Sequence, residues 1–342
     1  MKSQLKKIHL YTLLLAALML ILAACSAPPA PTASAPTAAP QPTTAVQVQS
    51  TSAPTVAPTS ASAAGTTLTD GAGRSVTLSG VPTRIVSLTP STTEIVCALG
   101  KCEAIIGRDQ FSDFPAQVKS VPVLSDGFNP NYEQIVAAKP DLVLVAAITA
   151  PDVIKKLDEL KLPTLVVGDV NSNFESVKRD IQLVGKALGA DAQAADVTAS
   201  MDKKLADLKS KIAQAKTKPR VFWELDATDP AKPYTPGPGT FIDEIIALAG
   251  GENIAGKAES PYVQINAEEV IKANPEVIIL SDAAYGVAPE SVGKRPGWNV
   301  IDAVKNNRVF PIDDNLVSRP GPRVIEGLEA AARLIHPELF TQ

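Results

Sequence analysis

The sequence predicts an α/β protein with two Rossmann-like lobes, each built on a mainly parallel sheet, joined by a long rigid α-helix. Short apolar segments alternate with helical ones over residues 84–167, the pattern of a parallel sheet flanked by helices. The same alternation resumes over residues 220–335. Between the two lies a stretch with helical patterning only, in two pieces at 174–189 and 192–216. The second piece would be about 37 Å long at 1.5 Å per residue, and either piece is able to bridge the lobes. One large doubly wound domain is the competing arrangement.

Taken in order, residues 68–78 read as a hairpin turning at Asp70-Gly71. Strands follow over 84–88, 104–107, 141–146 and 164–167, with helices over 91–99, 132–138 and 151–160. In the second half, strands are expected over 220–225, 277–280 and 309–312, and helices over 240–249, 267–273, 297–304 and 322–335. Ser91, with Glu94 three residues on, has the spacing of a capping box. Arg323 at a helix start opposes the helix dipole and therefore calls for an acidic partner.

With 342 residues, 45% of them hydrophobic, the chain can bury one or two sizeable cores. A formal net charge of −4, without basic clusters beyond the first few residues, argues against nucleic acid as a partner. The two histidines, His9 and His336, stand far apart at the ends of the chain, and there is no Gly-x-Ser-x-Gly. A histidine zinc site or a His-based catalytic triad is hard to assemble from them, so the reading is of a protein without a cofactor that is not an enzyme.

Residues 1–24 read as a signal peptide: Lys2, Lys6 and Lys7 precede an apolar run that is short for a membrane span. Leu22-Ala23-Ala24-Cys25 resembles the bacterial lipobox, which makes Cys25 the lipidated residue; an ordinary signal with a chance cysteine is the alternative. Two or more acyl chains suffice for stable anchoring. Loss of the three lysines takes the net charge from −4 to −7, so the anchor is lipid and not a basic patch. Residues 25–66 follow as a tether of Ala, Pro, Thr and Ser, too polar to fold. Such a tether spans about 35 Å if flexible and up to about 120 Å if stiffened by its prolines. The remaining divisions are an N-terminal lobe over 67–172, a helical segment over 173–217 and a C-terminal lobe over 218–342. Cys97 and Cys102 are the cysteines left for the folded part. Export makes a disulfide between them chemically accessible, and two reduced cysteines are the other reading.

Residues 81–100, beginning Val81-Pro82-Thr83-Arg84 and containing Leu88-Thr89-Pro90-Ser91, resemble the opening of the solute-binding proteins for cobalamin and iron chelates of ABC importers. Phe111-Ser112-Asp113-Phe114-Pro115, residues 129–142, residues 248–254, Arg295-Pro296-Gly297-Trp298 and Arg319-Pro320-Gly321-Pro322-Arg323 extend the resemblance in order to about residue 337. It implies the class III periplasmic binding protein architecture: two lobes, a bridging helix, a shallow cleft and modest closure.

The resemblance also implies roles. Phe111, Tyr234 and Tyr262 match the family's cleft aromatics, and each offers a flat face to a macrocycle. Gly127-Phe128 stands in place of a tryptophan that relatives carry, with Phe128 as its substitute, and Asn315 stands where cobalamin-binding relatives carry an acid. Arg319 corresponds to a ligand-proximal arginine. Glu133 and Glu268, one in each lobe and each in the first turn of a helix, match the acids with which the family docks on its permease, with Glu269 as the neighbour in reserve. The loop at Gly239-Thr240 ahead of a helix offers a place for an anionic group. Expected partners are therefore an ABC importer permease, a metal-chelate or corrinoid ligand, and the membrane through the lipid anchor, with the protein a monomer outside the cytoplasm. A secreted α/β hydrolase-like enzyme and an adhesion lipoprotein are the alternatives.

Overall fold

The computed structural model describes residues 65–169 and 172–340. The signal segment, Cys25 and the tether to residue 64 lie outside them. A small antiparallel ribbon, β1 (Thr66–Thr69) and β2 (Ser75–Leu78), opens the described chain. Asp70 closes its turn by accepting the N–H groups of Ala72 and Arg74.

The first lobe is a five-stranded parallel sheet of β3 (Ile85–Ser87), β4 (Ile105–Asp109), β5 (Val123–Ser125), β6 (Leu142–Ala146) and β7 (Thr164–Val167), in the order β5-β4-β3-β6-β7. The helices between its strands are α1 (Pro90–Ala98), α2 (Tyr132–Ala138) and α3 (Pro151–Glu159). The second lobe has a four-stranded parallel sheet of β8 (Arg220–Glu224), β10 (Glu252–Asn253), β12 (Val277–Leu280) and β13 (Val309–Pro311), in the order β10-β8-β12-β13. A separate two-stranded ribbon, β9 (Tyr234–Pro236) with β11 (Tyr262–Gln264), stands beside it. Two separate sheets replace the single doubly wound domain considered above.

Between the lobes run α4 (Phe174–Ala187) and α5 (Asp191–Ile212). α4 packs on β7 and α1, whereas α5 packs both on α4 and on α8 (Val324–Ile335) of the second lobe. The bridging helix is therefore α5, whose 22 residues span about 33 Å. The second lobe is completed by α6 (Phe241–Leu248) and α7 (Ala267–Ala273).

Alternation along each strand assigns its residues to two cores. Ile85, Leu142 and Leu144 face a cluster shared by both lobes, which continues through Leu208 of α5 to Val221, Trp223, Val277 and Ile279. Val86, Val143 and Val145 fill a core private to the first lobe. Phe222, Ile278, Leu280 and Trp298 fill the counterpart in the second. With both faces covered, the strands carry almost unbroken Val/Ile/Leu, as parallel sheets require. Cys97 and Cys102 are joined by a disulfide that fastens the end of α1 to the approach of β4.

Several expected details differ. Ser91 does not cap α1: the N-cap is Thr89, without a side-chain bond, and Pro90 occupies the first turn, where its missing N–H costs nothing. Glu94 is buried and engaged elsewhere. The helix expected over 297–304 breaks into a 3₁₀ turn at Trp298–Val300 and a helix at Asp302–Lys305, because Gly297 lies at φ 79° and Trp298 is drawn into the core. β5, β9 and β11 are too short and polar to be read from alternation.

Candidate ligand-binding site

In a parallel sheet the loops at the strands' C-terminal ends surround the crevice where strand order reverses. Here those loops, from both lobes, enclose one cavity of about 440 Å³. The first lobe contributes Leu88-Thr89-Pro90 after β3, Phe111 after β4, Gly127-Phe128 after β5, Ala146 to Ile148 after β6 and Gly168-Asp169 after β7. The second contributes Leu225, Gly239 to Ile242, Pro261-Tyr262 and Val317 to Pro320.

Phe111 is held by a buried chain of hydroxyls. Ser87 bonds Thr92 (2.7 Å) and Thr93 (2.8 Å), Thr93 bonds Ser112 (2.9 Å), and Ser112 donates to Asp109. The other Asp109 oxygen accepts the Phe111 N–H at 2.8 Å. Burial raises the Asp109 pKa even though these bonds work downward. The Phe111 ring lies against Gly127, where a Cβ would come within 2.6 Å of Cε2. Gly127, at φ 99°, is therefore required twice, by its backbone and by the ring. Phe111 is 49% exposed, Phe128 79% and Tyr262 59%. Aromatic faces left uncovered at a cavity mouth invite a ligand to cover them.

Arg319 also lines the cavity, but its charge is already engaged. Its Nη1 donates to Asp113 at 2.8 Å and to Glu94 at 3.3 Å. Burial works upward on Asp113, yet the Arg319 hydrogen bond and charge outweigh it and hold the carboxyl low. Arg323, the arginine in need of a partner, forms a two-pronged pair with the same Glu94 at 2.6 and 2.8 Å and stacks on Phe114 at 3.9 Å. Glu94 belongs to α1 of the first lobe and both arginines to the second. This acid therefore ties the lobes together along one margin of the cavity. Phe174 and Phe241, stacked at 5.3 Å, and the Phe174 N–H donated to Glu244 tie them at another place.

Of the ligand-contacting residues expected from sequence, Phe111, Phe128, Tyr262 and Arg319 line the cavity. Tyr234 and Asn315 do not. Tyr234 shares a face of the β9–β11 ribbon with Tyr262, by a register that sets Tyr262 opposite Pro236 and Gln264 opposite Tyr234. Asn315 is exposed, and its backbone N–H and amide both bond Asp313 at 3.0 Å. The α6 N-terminus, expected to suit an anion, is occupied by its own residues. Asp243 accepts the Gly239 N–H, and Thr240 accepts the Asp243 N–H. Glu133 and Glu268 are both exposed. Each follows an asparagine N-cap, Asn131 or Asn266, by two positions, in the first turn of its helix. Glu269 completes a capping box with Asn266. Sequence reading missed Asp169, in the loop after β7, and Asp180, within α4, both in the cavity lining; local pattern does not show which buried acid a second lobe leaves facing a cavity.

A family model described as "Periplasmic binding protein" matches residues 85–316. An uncharacterized ABC transporter substrate-binding lipoprotein of Bacillus subtilis is 37% identical over 274 residues, which covers 79% of this chain and 85% of the relative. A cobalamin-binding protein of Halobacterium salinarum is 28% identical over 275 residues, covering 77% and 72%. The solved periplasmic heme-binding protein RhuT from Roseiflexus sp. RS-1, in apo form, superposes with a TM-score of 0.68 at 25% identity, over 75% of this chain and 98% of that one. The chain belongs to the periplasmic binding protein family, the solute-binding components of ABC importers. Its fold is the class III form, with two parallel-sheet lobes joined by a helix.

Proposed function

We propose that this chain is a lipid-anchored, extracytoplasmic binding protein that captures a bulky metal chelate, a corrinoid, haem or ferric siderophore, and hands it to an ABC importer permease. The observation that carries this reading is the cavity of about 440 Å³ with Phe111, Phe128 and Tyr262 uncovered at its edge. Ring faces laid against these side chains would supply the affinity, and the polar groups between them the orientation. Among the described residues no three His, Cys, Asp or Glu side chains converge on one point, which favours a metal that arrives wrapped in its own ligands. The cobalamin- and heme-binding relatives support the same class of cargo.

Glu133 and Glu268 are the proposed permease contacts, one acid on each lobe, exposed and equivalently placed. Cys25 is the proposed lipidation site, residues 25–66 the tether, and the protein acts as a monomer without catalysis. The divisions at 67–172, 173–217 and 218–342 are the proposed working units. The test is titration of the full chain in detergent with cyanocobalamin, haemin and ferrichrome, followed by tryptophan quenching and absorbance. Saturable one-to-one binding of one of the three is expected; binding of none refutes the reading.

A further inference from the structure

The charges in the cavity wall are uneven. Among the described residues its lining holds three acids, Asp109, Asp169 and Asp180, against a single cation, Arg319. Arg319 is already shared between Asp113 and Glu94, and both Asp109 oxygens are taken by the Phe111 loop. Asp180 is different. It projects from α4 and is only 9% exposed. Its Oδ2 lies under Gly168, 3.5 Å from where a Cβ would stand, and the Gly168 N–H works against burial to hold its carboxyl down. The charges around it are Asp169, an acid, and Arg179, which is exposed. A carboxylate has room for about four hydrogen bonds, so these residues leave most of the accepting capacity of Asp180 unused.

We propose that Asp180 is a specificity-determining acceptor, selecting ligands that present N–H donors at their rim, such as corrin amides, over ligands that present carboxylates, such as haem. The proposal rests on the chelate-binding reading of the same cavity. An amide N–H aimed at a buried carboxylate makes a charge-assisted hydrogen bond, stronger than its neutral counterpart. A propionate brought to the same wall meets a like charge in a poorly screened setting, and one of the two must take up a proton. Burial, followed by the charge of Asp169, already pushes Asp180 up to about 7, so a second negative group there is costly.

The experiment compares two probes on the full chain in detergent at pH 7.5, cyanocobalamin and haemin, for wild type, Asp180→Asn and Asp180→Ser. Wild type is expected to bind cyanocobalamin the more tightly. Either substitution should weaken cyanocobalamin by about tenfold, the size of a lost bond to a charged group, and strengthen haemin, so the two affinities move in opposite directions. Serine, small and able to accept the Gly168 N–H, serves if the asparagine variant fails to fold. Equal loss for both probes marks a structural residue and overturns the proposal, as does no change in either or a wild-type preference for haemin. Wild type that binds neither of these nor ferrichrome refutes chelate binding itself, a different failure.

Discussion

The two lobes share one wiring plan at their strand starts and part company at their strand ends. In the first, Arg84 opens β3 and bonds the Ala138 and Lys139 carbonyls at the end of α2, while Asp141 accepts the Arg84 N–H. In the second, Arg220 opens β8 and bonds the Ala273 and Asn274 carbonyls at the end of α7, while Glu276 accepts the Arg220 N–H. Both helices end in a left-handed residue, Lys139 or Asn274, followed by proline.

At the other end of the same strands the register makes Glu224 the counterpart of Leu88 and Asp282 that of Ala147. Leu88 and Ala147 line the open cavity. Glu224 is fully buried and pairs with Arg295 at 2.5 and 2.7 Å, Arg295 stacks on Trp298 at 4.6 Å, and Asp282 accepts the Ala227 N–H. The first lobe thus leaves its crevice open with apolar and small side chains, whereas the second plugs the same place with an ion pair. The repeated half of the plan is scaffold, and the half that differs decides where a ligand can go.

The most damaging way to break this comparison is to unplug the second lobe. Glu224→Ala strands Arg295 without its partner and should cost about 3–5 kcal/mol in urea unfolding, the usual cost of half a buried pair. A loss below about 1 kcal/mol would mean that Arg295 escapes to solvent and the plug is not structural. Glu94→Ala should cost somewhat less, because Arg319 keeps Asp113, and it should also loosen the lobes and lower ligand affinity.

Removing a ring from either lobe comes next. Phe111→Ala and Tyr262→Ala should each weaken binding of whichever chelate the chain takes by about tenfold, as loss of a stacked aromatic does. An effect from one lobe alone would show that the ligand leans on that side only. Smaller still in binding terms, Glu133→Ala with Glu268→Ala should leave affinity within about twofold, since charges at an interface rim act on partner encounter, while uptake by cells falls. A drop in affinity would place these acids at the ligand.

The gentlest probe is pH. Burial, then Asp169, sets Asp180 near 7; burial, then Glu224, sets Asp282 near 6. In the unfolded chain each titrates near about 3.9. Folded protein therefore holds protons that unfolded protein has released, and the stability from each group grows as pH falls from its folded value toward about 4. Urea midpoints between pH 5 and 8 should show this slope begin near 7 and steepen below about 6; Asp180→Asn should abolish the part above 6 and flatten the rest, while Asp282→Asn should flatten only the part below 6.

Much of the scaffold was legible in the chain because burial on both faces leaves nearly continuous apolar strands, as in residues 141–146 and 277–280, bounded by Pro and Gly. The spacing of Asn131 to Glu133 and of Asn266 to Glu268 likewise marked two matching helix starts, since capping is a local rule. Phe111 could be placed because the loop after a parallel strand points to the crevice, whereas Tyr262 and Arg319 were named by the family resemblance alone. Glu94 was misread for the opposite reason. Its spacing from Ser91 satisfies a local motif, and only the approach of Arg319 and Arg323, more than two hundred residues away, turned it inward. Asp180 and the Glu224–Arg295 pair were invisible for the same cause. Periodicity tells which residues share a face, but the charge a buried side chain meets is settled by what the second lobe brings against it.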